Sequence, residues 1–81
     1  MNTAEHIERL EELCISSLSV TPRVSVSYIN PDHFIIRIPS ELKILRGFYL
    51  LDYLNLNGYY IKEIHSSDID FIELIVLEKT K

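Results

Sequence analysis

Three histidines, one cysteine and a spaced set of carboxylates are the side chains here with the chemistry to hold a metal or attack a substrate. His6 falls near the start of a helical pattern, His33 in a turn and His65 at a strand end. None has the i, i+3 or i+4 partner that puts two imidazoles on one helical face for zinc. Surface or packing roles suit all three. Cys14 lies on an apolar helical stripe beside Leu13 and Ile15. A reactive thiol needs exposure and a neighbouring cation or base to become a thiolate. Cys14 reads as a small core residue. Asp68-x-Asp70-x-x-Glu73 gathers carboxylates near a turn, as a hard cation requires, but lacks the glycine and the remaining ligands of a calcium loop. Asp70 and Glu73 also point to opposite faces of a strand, so turn capping by Asp68 is the better reading.

Gly47 and Gly58 are the only glycines, so no glycine-rich phosphate loop exists. Neither a nucleophile elbow nor a metal-hydrolase signature is present. The expectation is a chain without catalytic residues, metal or cofactor. Tyrosines and basic residues are what is left for binding. Tyr49, Tyr53, Tyr59 and Tyr60 cluster along the sequence, and tyrosine is enriched at interfaces because it joins an apolar ring to a polar tip. Arg23, Arg37, Arg46 and Lys62 form the one basic set that could touch nucleic acid. Arg37, Lys62, His33 and Tyr60 could share a sheet face of the kind that binds single strands by stacking and charge. A net charge of −4 and a pI near 5.2 weigh against that use.

The elements that must position these residues follow from periodicity. Residues 3–18 read as a helix capped by Asn2 or Thr3, with Asn2 and Glu5 at capping-box spacing. Ile7, Leu10, Leu13, Cys14 and Leu18 fall on one side and Glu5, Glu8, Arg9, Glu11 and Glu12 face water. Residues 23–29 alternate, with Val24, Val26 and Tyr28 on one face. Asn30-Pro31-Asp32-His33 is a turn, with Pro31 preset for its second position. Phe34, Ile36 and Ile38 continue as a second strand, with Ile35 and Arg37 on the reverse.

Ser40 to Asn57 is the central helix, and it is apolar on more than one face. Leu42, Leu45, Tyr49, Tyr53 and Leu56 form a row expected to face the sheet. Ile44, Phe48 and Leu51 form a second row, and Lys43, Arg46, Leu50 and Asn57 the remaining polar strip. Asn57-Gly58 supplies the stop. Residues 59–66 form a third strand of ambiguous facing: Tyr60 and Ile64, or Tyr59 and Ile61, point to the core. Ser66-Ser67-Asp68 turns the chain. Residues 70–78 form a fourth strand, with Ile72, Leu74 and Val76 on one side and Phe71, Ile75 and Leu77 on the other. A strand apolar on both faces belongs in the middle of a sheet.

The expected fold is therefore α+β: a single domain over residues 1–81, in the order α-β-β-α-β-β. It is a two-layer sandwich whose four-stranded, mainly antiparallel sheet carries both helices on one face. A chain of 81 residues with one cysteine cannot close a disulfide, and small cores rarely supply more than about 3–5 kcal/mol alone. Self-association is the usual remedy. The expected function is a non-catalytic protein–protein interaction module, a homodimer acting as adaptor or regulator, with Ile44, Phe48, Leu51, Tyr59 and Tyr60 at the interface. The alternatives are a nucleic-acid-linked regulator using Arg23, Arg37, Arg46 and Lys62, and a small ligand-binding or enzyme subunit with a pocket between chains. The longest apolar run is too short to span a bilayer, the N-terminal stretch is acidic, and the lone cysteine suits a reducing compartment, so the cytoplasm is the expected location.

Overall fold

The computed structural model describes residues 2–18, 21–40, 43–66 and 70–79, with the backbone alone for 43–48. It is an α+β structure in the order α1 (Thr3–Leu18), β1 (Arg23–Val26), β2 (His33–Pro39), α2 (Lys43–Leu56), β3 (Tyr59–His65) and β4 (Phe71–Glu78). All four strands form one antiparallel sheet in the spatial order β1-β2-β4-β3. β4 sits inside the sheet, as its two apolar faces require, paired with β2 from His33–Leu77 to Pro39–Phe71. Among the described residues no helix is long and apolar enough to cross a membrane.

Register assigns the core. Val26, Phe34 and Val76 lie side by side, as do Val24, Ile36 and Leu74, and Ile38 sits opposite Ile72. These residues share one face of the sheet, because directly opposed residues point the same way. Phe34, Ile36, Ile38, Leu74 and Val76 join Leu10, Leu13, Cys14 and Leu18 of α1 and Leu50 and Leu54 of α2 in a single buried cluster. Val24, Val26, Ile61 and Ile72 pack on its margin.

α1 starts where Asn2 Oδ1 accepts a hydrogen bond from the Glu5 N–H at 2.9 Å, satisfying one of the free amides of the first turn. Its buried stripe is Leu10, Leu13, Cys14 and Leu18, as expected, with His6 four residues before Leu10 buried as well and the expected Ile7 only partly buried. At its other end Ser17 Oγ donates back to the Leu13 carbonyl at 2.9 Å, a local bond that competes with continued helix.

α2 corrects the expected phase of its wheel. Leu50, placed in the polar strip, is fully buried, and Leu54 one turn later is buried with it. Leu51 and Tyr53 flank them, half-buried against the core, whereas Tyr49 and Leu56 of the supposed sheet-facing row are 59 % and 82 % exposed. Tyr49 and Tyr53 stack on each other, ring centroids 6.2 Å apart. The physical reason is that a helix apolar on several faces carries no phase of its own, so packing decides it. Tyrosine also tolerates the outer side because its hydroxyl keeps water. Leu42, and the side chains of Ile44, Leu45 and Phe48, lie outside the described residues.

The last turn of α2 contains no basic residue, and cations from elsewhere in the chain supply its cap. Lys79 Nζ donates to the Asn55 carbonyl at 2.9 Å and Arg9 Nη2 to the Asn57 carbonyl at 3.4 Å. Gly58 follows with φ of +90°, the left-handed conformation that lets the chain reverse into β3. The Asn30–His33 turn forms as expected, the His33 N–H donating to the Asn30 carbonyl at 2.9 Å. β1 is shorter than its alternation suggests. Ser27 Oγ accepts from the backbone of Ile29 and Asn30, which bends the chain away and leaves Tyr28 and Ile29 exposed.

The ambiguous facing of β3 comes from a bulge. Ile61 pairs with Val76 and Glu63 with Ile75, so Lys62 is an extra residue and the parity of the strand changes there. Tyr59 and Ile61 face the core before it, and Ile64, opposite Leu74, takes the core-side parity after it. The Tyr59 and Ile61 facing therefore holds before the bulge, while beyond it Ile64 has the core-side parity yet is 54 % exposed and lies outside the core cluster.

Truncation separates the two sides of α2. Leu50→Ala and Leu54→Ala are each expected to lower unfolding stability by about 2–5 kcal/mol, and Leu56→Ala by no more than about 0.5. Urea unfolding curves read both; equal losses at Leu54 and Leu56 would contradict the observed helix phase.

Candidate functional site

The face of the sheet opposite the core residues is laid out in rows by the same register. Pro39 stands beside Phe71 at one end. The next row runs Arg23, Arg37, Glu73, His65 from β1 to β3, and the next Ser25, Ile35, Ile75, Glu63. The last holds His33, Leu77 and Tyr60. Ile35, Ile75 and Leu77 are half-buried, and none of them packs on the core cluster. Tyr60 and Phe71 are 55 % and 40 % exposed. This face therefore carries an aliphatic row, aromatic side chains at its two ends, charges at its edges and one ion pair, Arg37–Glu73, across its inner strands.

Local electrostatics fix several of these side chains. Arg37 Nε donates to Glu73 Oε2 at 2.9 Å across the β2–β4 pair, and its guanidinium lies 5.4 Å from the centre of the Phe71 ring. An ion pair and a cation–π contact therefore both bear on that arginine. Arg23, Arg37, Pro39 and Phe71, with Thr21 and Pro22, line a shallow hollow of about 380 Å³. At the far end Lys62 Nζ donates to His33 Nε2 at 3.2 Å. Because an ammonium only donates, His33 Nε2 is the acceptor and Nδ1 carries the proton. His33 Nδ1 is buried without a hydrogen-bond partner among the described residues. On the β3 edge Glu63 bonds His65 at 2.9 Å, and this bond is the main reason its carboxyl lies below the usual range.

Arg37, His33, Tyr60 and Lys62, the basic and aromatic set expected to share a sheet face, do share this one. Arg23 joins them directly opposite Arg37. The Arg46 side chain lies outside the described residues. Of the five expected interface residues, Tyr60 is on this face, Leu51 is half-buried against the core, and the side chains of Ile44 and Phe48 are not described. Tyr59 is 2 % exposed and belongs to the interior.

The interior role of Tyr59 is a polar staple. His6 Nδ1 lies 2.8 Å from the Tyr59 hydroxyl and His6 Nε2 2.7 Å from Glu78 Oε2. With Glu78 as carboxylate, Nε2–H donates to it and Nδ1 accepts from Tyr59, which ties α1 to β3 and β4. The His6 ring also lies against Phe34, centroids 5.3 Å apart. Burial pushes the Tyr59 phenol up, with the Arg9 charge pulling it down and Glu78 adding to the rise. Both nitrogens of His6 are engaged and the phenol stays protonated, so the trio positions elements rather than moving protons to a ligand. Its stripe position, four residues before Leu10, is the signal that marks His6 as buried.

Cys14 is fully buried, and burial, helped by Glu11, pushes its thiol up to about 12 from an ordinary 9.0. That is the opposite of nucleophile activation. Asp68 lies outside the described residues, and Glu73 is held by Arg37. Among the described residues no three His, Cys, Asp or Glu side chains converge on a common point.

Two measurements check these interior groups. Tyr59→Phe leaves His6 Nδ1 without its donor and is expected to cost about 1–3 kcal/mol, read by urea unfolding. For Cys14 the folded value of about 12 exceeds the unfolded 9.0, so the native chain holds its proton longer. Stability from this source is intact below pH 9 and falls by at most about 1.4 kcal/mol per unit above it. Cys14→Ala should flatten that alkaline slope, and an unchanged slope would show that the thiol is not its source.

No family model matches this chain, and neither a curated protein nor a solved structure matches it significantly.

Proposed function

We propose that this chain is a non-catalytic protein–protein interaction module of a single domain that acts as a cytoplasmic adaptor or regulator and pairs with itself. In this reading both helices lie against the core face of the sheet and the opposite face receives the partner. The observation that carries it is the makeup of that face. Ile35, Ile75 and Leu77 give an aliphatic patch outside the core cluster, Tyr60 and Phe71 stand exposed at its ends, the inner Arg37–Glu73 pair is neutralised within the chain, and further charges sit at its edges. Apolar and aromatic centre with charged rim is the layout of protein interfaces. The shortness of the chain adds a reason for pairing, since a small core gains from oligomerisation.

A second reading has its own observation. Arg23 and Arg37 are register neighbours on a face that also exposes Tyr60 and Phe71, a combination suited to phosphate contact and base stacking. Against it, Glu73 and Glu63 lie on the same face and the chain carries −4 overall.

Light scattering at increasing protein concentration tests the first reading. The expected mass is twice that of the chain, and Phe71→Asp is expected to shift it to the monomer while the circular dichroism stays that of the folded chain. A mass of one chain at every concentration would remove the reading. Oligonucleotide binding that weakens steeply with salt would replace it with the second.

A further inference from the structure

The proposed interaction face is bipolar across its strands. Arg23 and Arg37 stand on β1 and β2, and Lys62 carries its ammonium across to the β2 side at His33. Glu73 and Glu63 stand on β4 and β3. Arg37 and Glu73 meet each other within the chain at 2.9 Å. Arg23, exposed on one edge strand, has no ion pair among the described residues, and Glu63 is exposed on the other edge, bonded to His65 and within the field of Lys62 and His33.

We propose that a second copy of this chain covers the face, sheet on sheet, about a two-fold axis running along the strands between β2 and β4. This rests on the dimeric reading above and adds the surface and its geometry. Charge selects the axis. A two-fold running across the strands sets β1 on β1 and β3 on β3, so edges of like sign meet. A two-fold along the strands exchanges the edges and lays β1 over the partner's β3. Each row then meets its own reverse. Ile35 comes over the partner's Ile75, Ile75 over the partner's Ile35, and Phe71 over the partner's Pro39. Arg23 comes over the partner's His65, with the partner's Glu63 one pleat away, about 6–7 Å along the strand and within reach of a guanidinium. The natural tilt of about −30° between packed sheets accommodates such a diagonal contact. Apolar groups meet at the centre and opposite charges at both rims, so the face is complementary to itself. A nucleic acid on the same face would set its phosphates against Glu63 and Glu73.

Charge reversal with complementation reads this arrangement. In Arg23→Glu alone, both rims of the pair set carboxylate against carboxylate. In Glu63→Arg alone, both set cation against cation. Each variant by itself is expected to dimerise roughly tenfold more weakly than the wild type. Mixed in equal amounts, one chain of each kind restores an opposite pair at both rims. The mixture is expected to regain wild-type affinity within about twofold, measured by sedimentation equilibrium. Circular dichroism spectra that match the wild type confirm that both surface variants fold. A wild-type dimer whose two variants self-associate as tightly as it does would overturn this geometry and leave the dimeric reading standing. A wild type that stays monomeric would overturn both, and salt-dependent oligonucleotide binding by that monomer would assign the face to nucleic acid.

Discussion

The rest of the molecule depends on β4 being paired on both sides. Its seven-position ladder with β2 and its bulged ladder with β3 fill the middle of the sheet. Once those ladders are in register, the period of two leaves no freedom about which side chains share a face. Leu74 and Val76 go to the core with Phe34, Ile36 and Ile38, while Glu73, Ile75 and Leu77 go to the other side with Ile35 and Arg37. A slip of β4 by one residue would turn Glu73 into the core and expose Leu74 and Val76. The apolar burial that holds the register therefore also composes the opposite face, down to the ion pair between Arg37 and Glu73.

The same two strands were the most legible part of the sequence, for this reason. Phe34, Ile36 and Ile38 alternate without interruption, and the DFIELIVLE run is apolar in both parities, which only an interior strand accommodates. The α1 stripe was equally plain. The phase of α2 was not, because Leu50, Leu51, Leu54 and Leu56 offer several equivalent apolar rows and only the contact with Leu10, Cys14 and the sheet chooses Leu50 and Leu54. The facing of β3 was undecidable from alternation because the bulge at Lys62 changes parity within the strand. Bulges leave no residue-type mark when the extra residue is an ordinary lysine.

The candidate face was half legible. Arg37, Lys62, His33 and Tyr60 could be named as a set able to share one sheet face, but alternation left the facing of Tyr60 and Lys62 open. Their partners could not be named, since Arg37 meets Glu73 thirty-six positions away and Lys62 meets His33 across β4. Tyr59 shows the limit from the other side. Tyr59 and Tyr60 are adjacent and chemically identical, yet one is stapled to His6 in the interior and the other stands exposed. Only strand parity separates their roles, and a type-based argument for tyrosine at interfaces applies to both equally.

Edge chemistry narrows how such a chain can associate. An open four-stranded sheet has two edges whose unpaired backbone groups invite strand addition. Here β1 is four residues long, follows Pro22, and ends where Ser27 turns the chain away. β3 carries the Lys62 bulge near its middle, which breaks the even spacing that an added strand would need. Short length, a preceding proline, a bulge and an edge lysine are the devices by which natural sheets discourage edge pairing. With both edges blunted, the half-buried aliphatic row of Ile35 and Ile75, outside the core cluster, is the apolar surface left for a partner in the proposed pairing. Association through a face would place specificity in its side chains, and in the proposed pairing that role falls to Arg23 and Glu63, which stand on opposite edge strands of one chain.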